Sequence, residues 1–301
     1  MKPSDVLSAN EREYLLQRSD LLAWAYVLGA WLLIFAILVL VGYFPSTITI
    51  VFAWIVLPGR QLSLAVLMHE AGHGSLFKTK IFNKWVGQWL CALPTLGDLD
   101  SYARGHAAHH RLAGTDQDPD LPNYRAYPIK KSSLYRKWIR DLTGQTGFKL
   151  MVALTTGSGS QMSKETVGSS NLLAKQTLVH LVFALILVAL GIGWTWFVWM
   201  GTFLTSYMWV VRLRQVGEHA AVPDLFGPDV RMNTRTVDAP FWQCFLLAPN
   251  NVNMHMEHHF MAGVPCYNLP KLREILKSKG LIDEVPEITG YGQVLKLAVV
   301  D

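Results

Sequence analysis

Apolar positions in this chain fall in two long blocks instead of recurring on one face of short elements. From Leu21 to Gly59, 39 consecutive residues carry no formal charge, and from Gln176 to Val211 there are 36 more. A bilayer core about 30 Å thick is crossed by roughly 20 helical residues, so each block holds two crossings. Helix-breaking clusters sit near the middle of each: Gly42, Tyr43, Phe44, Pro45 and Ser46 in the first, Gly191, Ile192 and Gly193 in the second. The pattern predicts an all-α integral membrane protein. Four transmembrane helices, at about 21–42, 46–67, 174–191 and 194–213, form two hairpins. A helical cap is expected from 68–171 and 214–301, and residues 1–20 form an N-terminal arm, so that 21–301 is a single domain.

Charge sets the orientation. Both hairpin turns lack Lys and Arg, and the 27 basic residues lie in the N-terminal arm, between Arg60 and Lys175, or from Arg212 onward. Basic loops stay on the cytoplasmic side, which places both termini and the cap in the cytosol. Trp194, Trp196 and Trp199, with Tyr43 and Phe44, then fit the aromatic belt of the far interface. Arg60 and Arg212 mark where the second and fourth helices leave the hydrocarbon, and Arg60 reads as an anchor snorkelling to the headgroups. Only 16% of residues are charged and 51% are hydrophobic, against about 25% charged in a soluble domain, which excludes disorder and a nucleic-acid-binding arm. Cys91, Cys244 and Cys266 make an odd number without CxxC spacing, which argues against a disulfide framework. The net charge of +5 suits anionic lipid headgroups on the cytosolic face. The apolar stretch from Leu21 is too long for a signal-peptide core and should persist as the first crossing. Two uncharged stretches, Trp85–Gly97 and Phe241–Ala248, are too short to span and should lie at the interface or under the cap, and Thr155–Asn171, rich in Ser, Thr and Gly, reads as a flexible connector.

Histidine carries the chemistry. Nine of the ten histidines fall in four groups: His69 and His73; His106, His109 and His110; His219; and His255, His258 and His259. On a helix, positions i, i+3 and i+4 share a face, so each His-x-x-His-His can aim three imidazoles at one point and His-x-x-x-His two. Nine imidazoles exceed what one ion takes, whereas two five- or six-coordinate ions could absorb them. His69 lies nine residues beyond Arg60 and His219 seven beyond Arg212. If both helices continue, these rings stand about 10–14 Å above the membrane, at one height. Ligating imidazoles need an acceptor for their second nitrogen, and Glu70, Glu218 and Glu257 each adjoin a histidine.

These boxes, on four crossings, resemble the membrane fatty acid desaturase superfamily, which includes acyl desaturases, hydroxylases and carotenoid oxygenases. The stretches Arg212–Asp224, Asn233–Thr236, Ala248–His259 and Val264–Leu272 are similar to a bacterial branch containing proteins like the dihydrorhizobitoxine desaturase. The resemblance implies that the nine histidines bind two irons, with dioxygen as co-substrate, and that a double bond is introduced into a fatty acyl or lipid-like chain. A hydroxylase or ketolase of the same superfamily would use the same ligands. In some members an Asn four residues before the lone histidine holds a metal-bound water; Gln215 stands there in this chain. The resemblance also implies a bacterial cytoplasmic membrane, an apolar tunnel for the substrate, and a separate electron donor of the ferredoxin, rubredoxin or cytochrome b5 type.

A rival reading comes from His69-Glu70-Ala71-Gly72-His73, which matches the His-Glu-x-x-His of zinc proteases, with Glu70 as general base. It leaves most of the clustered histidines unexplained. Asp116, Asp118 and Asp120 alternate as in a calcium loop but lack its Gly and Glu, and are expected to be a solvated loop. His180, inside the third crossing, should face the bundle without ligating.

Overall fold

The computed structural model describes residues 2–156 and 171–301; most of the expected connector at 155–171 therefore lies outside the described residues. The chain is predominantly helical, and among the described residues the strands are one two-residue parallel pair, Ile129–Lys130 with Val299–Val300. Three helices are long and apolar enough to cross a membrane: α1 (Asp20–Tyr43), α2 (Thr47–Gly72) and, after the cap helix α3 (Leu99–Leu112), α4 (Leu172–Ala189).

Each apolar helix divides its surface by spacing. In α1, Ala23, Val27, Ala30, Ile34, Leu38 and Val41 recur every three or four residues and are buried, while Leu21, Leu28 and Leu32 are exposed. Side chains at these intervals share one face, so α1 packs inward on that face and presents the other to hydrocarbon. α4 repeats the arrangement, burying Gln176, His180, Phe183 and Leu187 and exposing Leu178, Leu181 and Leu185. α2 changes character along its length: Ile48, Val51 and Ile55 are exposed, whereas nearly every residue from Val56 to Ala71 is buried. Its second half is the centre of the bundle.

The expected fourth crossing is split. Helices α5 (Thr195–Leu204) and α6 (Ser206–His219) meet at Thr205, whose φ of −119° and ψ of −92° interrupt the helix. The Thr205 hydroxyl donates to the Gly201 carbonyl at 2.6 Å and accepts from the Trp54 indole at 3.0 Å. Gly147 approaches here so closely that a Cβ would stand 2.1 Å from the Leu204 carbonyl oxygen. Tertiary packing, invisible in the hydropathy pattern, thus breaks an apolar run. The two turns nevertheless meet at one end of the bundle. A Cβ on Gly42 would fall 2.3 Å from Ile192, and the Tyr43 hydroxyl donates to the Leu190 carbonyl at 2.7 Å.

α2 and α6 do run on past Arg60 and Arg212, carrying His69 and His219 as the spacing requires. Arg60, however, is buried and does not snorkel. Its guanidinium donates to the Phe245 carbonyl and lies 4.0 Å from the centre of the Phe245 ring. The cause is the short helix Phe241–Leu247, which lies directly on α2: at Gly59 a Cβ would stand 2.6 Å from the Leu246 carbonyl oxygen.

Candidate metal centre

Two further helices complete the site: α7 (His255–Phe260) and α8 (Leu269–Ser278), which packs against it. The nine histidines converge from α2, α3, α6 and α7 in two groups. His69, His73, His106, His110 and His258 form one, and His109, His219, His255 and His259 the other; within each, the potential ligand atoms lie within 4.8 Å of one another. His180 belongs to neither and packs edge-on against Trp196 in the bundle.

Each His-x-x-His-His box divides between the groups, whereas His69 and His73 stay together in the first. A helix turns about 100° per residue, so i and i+4 are roughly 40° apart while i+3 and i+4 are separated by about 100°. His106 and His110 accordingly share the first group while His109 points into the second, and His255 and His259 share the second while His258 crosses to the first.

The rings are oriented by acceptors behind them. His109 Nδ1 donates to Asp118 Oδ1 at 2.8 Å, His219 Nδ1 to the Asn233 carbonyl at 3.2 Å and His69 Nδ1 to Glu70 Oε1 at 3.0 Å. Glu218 Oε1 lies 3.5 Å from His255 Nδ1. Carbonyl and carboxylate oxygens can only accept, so His109, His219 and His69 carry their proton on Nδ1 and turn a bare Nε2 inward. There the nitrogens crowd together: His219 and His255 at 2.9 Å, His109 and His259 at 3.2 Å, His69 and His106 at 2.8 Å, and His110 with both His106 and His258 at 2.9 Å. Where both nitrogens of a pair are unprotonated, they repel at such distances unless a cation lies between them. Ligands at right angles around an ion, each about 2.1 Å from it, stand about 3.0 Å apart, whereas tetrahedral ones stand about 3.4 Å apart. The donor set fits ions with more than four ligands.

Burial keeps most of the rings in the neutral, ligating form. It pushes His73 down to about 4 and His110 and His219 down to about 3. His109 differs: burial opposes its charge, but the bond to Asp118 and the nearby Asp120 raise its pKa. Asp118 is itself held low by His109 despite its burial. Burial lifts Glu218 to about 7, against the pull of Arg214, whose guanidinium is 3.2 Å away.

The aspartate loop is therefore not simply solvated. Asp118 is 4% exposed, accepts from His109 and from the Tyr124 hydroxyl, and is a site residue that the sequence pattern missed. Its signal was position alone, one loop beyond the second box. Glu257, expected behind a histidine, is fully buried but bonds to Arg273 at 2.6 Å and to the Thr236 hydroxyl. Glu70 has both oxygens engaged, Oε1 by His69 and Oε2 by the Ser75 hydroxyl at 3.0 Å and the Cys266 N–H at 2.8 Å. A protease base would need one of them free. Gln215 lines a cavity of about 170 Å³ beside the rings. Its walls are not uniformly apolar: Val66 and Tyr102 are joined by Arg214, Gln215 and Asn250.

The fatty acid desaturase profile matches residues 45–287, a stretch that includes every histidine of both groups. The chain belongs to the fatty acid desaturase family. Iron-dependent catalysis is characteristic of that family, and the paired histidine clusters suit it. The chain is 25% identical over 227 residues to the dihydrorhizobitoxine desaturase of Bradyrhizobium elkanii, covering 71% of this chain and 64% of that protein. It is 24% identical over 233 residues to the sn-1 oleoyl-lipid 12-desaturase of a Picosynechococcus strain, covering 70% and 64%. With the sn-1 acyl-lipid omega-3 desaturase (ferredoxin) of a Synechocystis strain it shares 22% over 257 residues, covering 79% and 70%. The matched stretches thus span under two thirds of the length of the first two relatives.

Proposed function

We propose that the chain is a di-iron, dioxygen-dependent membrane oxidoreductase that introduces a double bond into an aliphatic chain. The observation that carries this reading is the convergence of imidazole nitrogens in a group of five and a group of four. The five- and four-imidazole groups would each hold one iron. Bound as a reduced pair, these ions would supply the electrons for dioxygen to take hydrogen from an unactivated C–H. The protein's own part is to hold the rings. Asp118, the Asn233 carbonyl and Glu70 fix the tautomers of His109, His219 and His69, so that Nε2 is available. The 170 Å³ cavity is smaller than the roughly 300–1,000 Å³ of a pocket that encloses a whole ligand. It suits only the reacting segment of a longer chain, aligned by Val66 and Tyr102. The site lies at the end of the bundle away from the hairpin turns, and the charge asymmetry of the loops supports a cytosolic orientation for it in a bacterial membrane. Electrons would arrive from a separate acidic carrier of the ferredoxin type, steered to the basic face.

The test is iron content and dioxygen consumption of the detergent-purified chain given reductant and lipid, with product analysis and His258→Ala as the inactive control. Two irons per chain with an alkene product support the proposal. An alcohol or ketone product would reassign it to the hydroxylase or ketolase reaction. One zinc, with peptide cleavage lost in Glu70→Gln, would replace it by the protease reading.

A further inference from the structure

Between α6 and α7 the chain passes through Asn233-Thr-Arg-Thr236, a segment that carries no imidazole yet touches the supports of both helices. We infer that this segment is a clip that assembles the four-imidazole group, with Arg235 as the positioning residue that sets His219. The inference rests on the two-ion reading above.

Arg235 is a buried cation, 5% exposed, whose hydrogen bonds go to main-chain carbonyls: Val216 and Gly217 at 3.3 Å and Ala221 at 2.7 Å. Those of Val216 and Gly217 lie in the last turn of α6, where carbonyls carry partial negative charge; the Val216 carbonyl also accepts from the Ala220 N–H at 3.3 Å. The guanidinium therefore stands where a helix C-terminus attracts a cation, and fixes the turn that bears His219. Two residues earlier, the Asn233 carbonyl accepts from His219 Nδ1, so backbone and ring are held from the same segment. Asn233 is anchored in turn, its amide donating to the Gly227 carbonyl at 2.8 Å.

The other end of the clip holds α7. Thr236 pairs with Met254 in an isolated antiparallel bridge, and the next residue continues the contact, Val237 N–H donating to the Asn253 carbonyl at 3.0 Å. The Thr236 hydroxyl donates to Glu257, whose other oxygen takes Arg273 from α8. The same Arg273 reaches Asp238 at 2.6 Å. The distance between His219 and His255 Nε2, 2.9 Å, is thus set by a segment joined to both helices. The five-imidazole group draws on α2, α3 and α7 but takes nothing from α6. Loosening Arg235 should release one ion and leave the other.

The experiment is metal analysis of the full-length, detergent-purified chain loaded with Fe(II), with chelator competition for each ion. The variants are Arg235→Gln, His259→Ala for the four-imidazole group, His73→Ala for the five-imidazole group, and the two doubles. Wild type should hold two irons. Arg235→Gln should hold one, its second ion bound at least tenfold more weakly. Combined with His259→Ala it should still hold one, and combined with His73→Ala it should hold none. The retained ion reports that the variant is folded. Should Arg235→Gln not accumulate, Arg235→Lys, which keeps the charge and part of the bonding, is expected to hold the second ion with intermediate affinity. Two ions at wild-type affinity in either variant, or equal weakening of both, overturns the clip. Fewer than two irons in wild type overturns the two-ion reading instead.

Discussion

Asp118→Asn isolates what one carboxylate contributes to the centre. The substitution preserves shape and removes charge at a position that is 4% exposed and bonded to His109 Nδ1 at 2.8 Å. The amide oxygen can still accept from His109, but its nitrogen must then face the Tyr124 hydroxyl that the carboxylate now accepts from. Replacing the partner behind a ligating imidazole costs about 10–100-fold in metal affinity, or about 1.4–2.7 kcal/mol. His109 belongs to the four-imidazole group, so only that ion should weaken. Proton competition gives a second signature. Burial opposes a charge on His109, but Asp118 and Asp120 hold its pKa up, so in the parent protein acid competes with metal there; the variant relaxes that competition. The affinity deficit should therefore be largest at neutral pH and shrink as pH falls. Chelator competition at pH 6.0 and 7.5 measures both. Equal weakening of the two ions, or a deficit that grows on acidification, would refute the reasoning.

Gly59→Ala should lower the thermal midpoint in detergent, because its Cβ would press to 2.6 Å from Leu246 O and force the helix Phe241–Leu247 outward at about 1–3 kcal/mol; Gly29→Ala, with open space around it, should leave the midpoint unchanged. Asp141 is fully buried and takes Arg212 at 2.7 Å and the Thr146 hydroxyl at 2.7 Å. Asp141→Ala strands that guanidinium and should cost about 3 kcal/mol, which a denaturation series resolves; a loss under 1 kcal/mol contradicts the pairing. Glu11 is held below the usual carboxylate range by its bond to the Ser8 N–H and by Lys279. A depressed folded pKa gives stability that is present above the unfolded value and lost as pH falls through the folded one. Hydrogen-exchange protection factors in residues 9–15, taken against the intrinsic rate at each pH, should fall on acidification through that range, and Glu11→Gln should abolish the dependence.

Which residues form the centre could be read from spacing, and how they are shared could not. His106 and His110 at i, i+4 announce a common face, and helical continuation beyond Arg60 and Arg212 would bring His69 and His219 to one height. The division between two groups depends on where α7 meets α3, a contact between segments about 150 residues apart. The unbroken crossing expected at 194–213 failed for a related reason: the run is uncharged through Val211, and the break at Thr205 lies where Gly147 packs against Leu204 O. Arg60 was read by its charge alone, although Phe245 supplies both a carbonyl and a ring for it. Asp118 resembled a solvated loop because a carboxylate buried against an imidazole has the same sequence signature as one in water.

The sharing of both His-x-x-His-His boxes between the two groups bears on biosynthesis. Neither group is complete without α7, whose rings are translated about 150 codons after His109. A nascent chain that captured an ion early would hold it through His106, His109 and His110 together, an arrangement that the finished protein must dismantle. A complete set of donors for either group therefore exists only once the chain has been synthesised through α7.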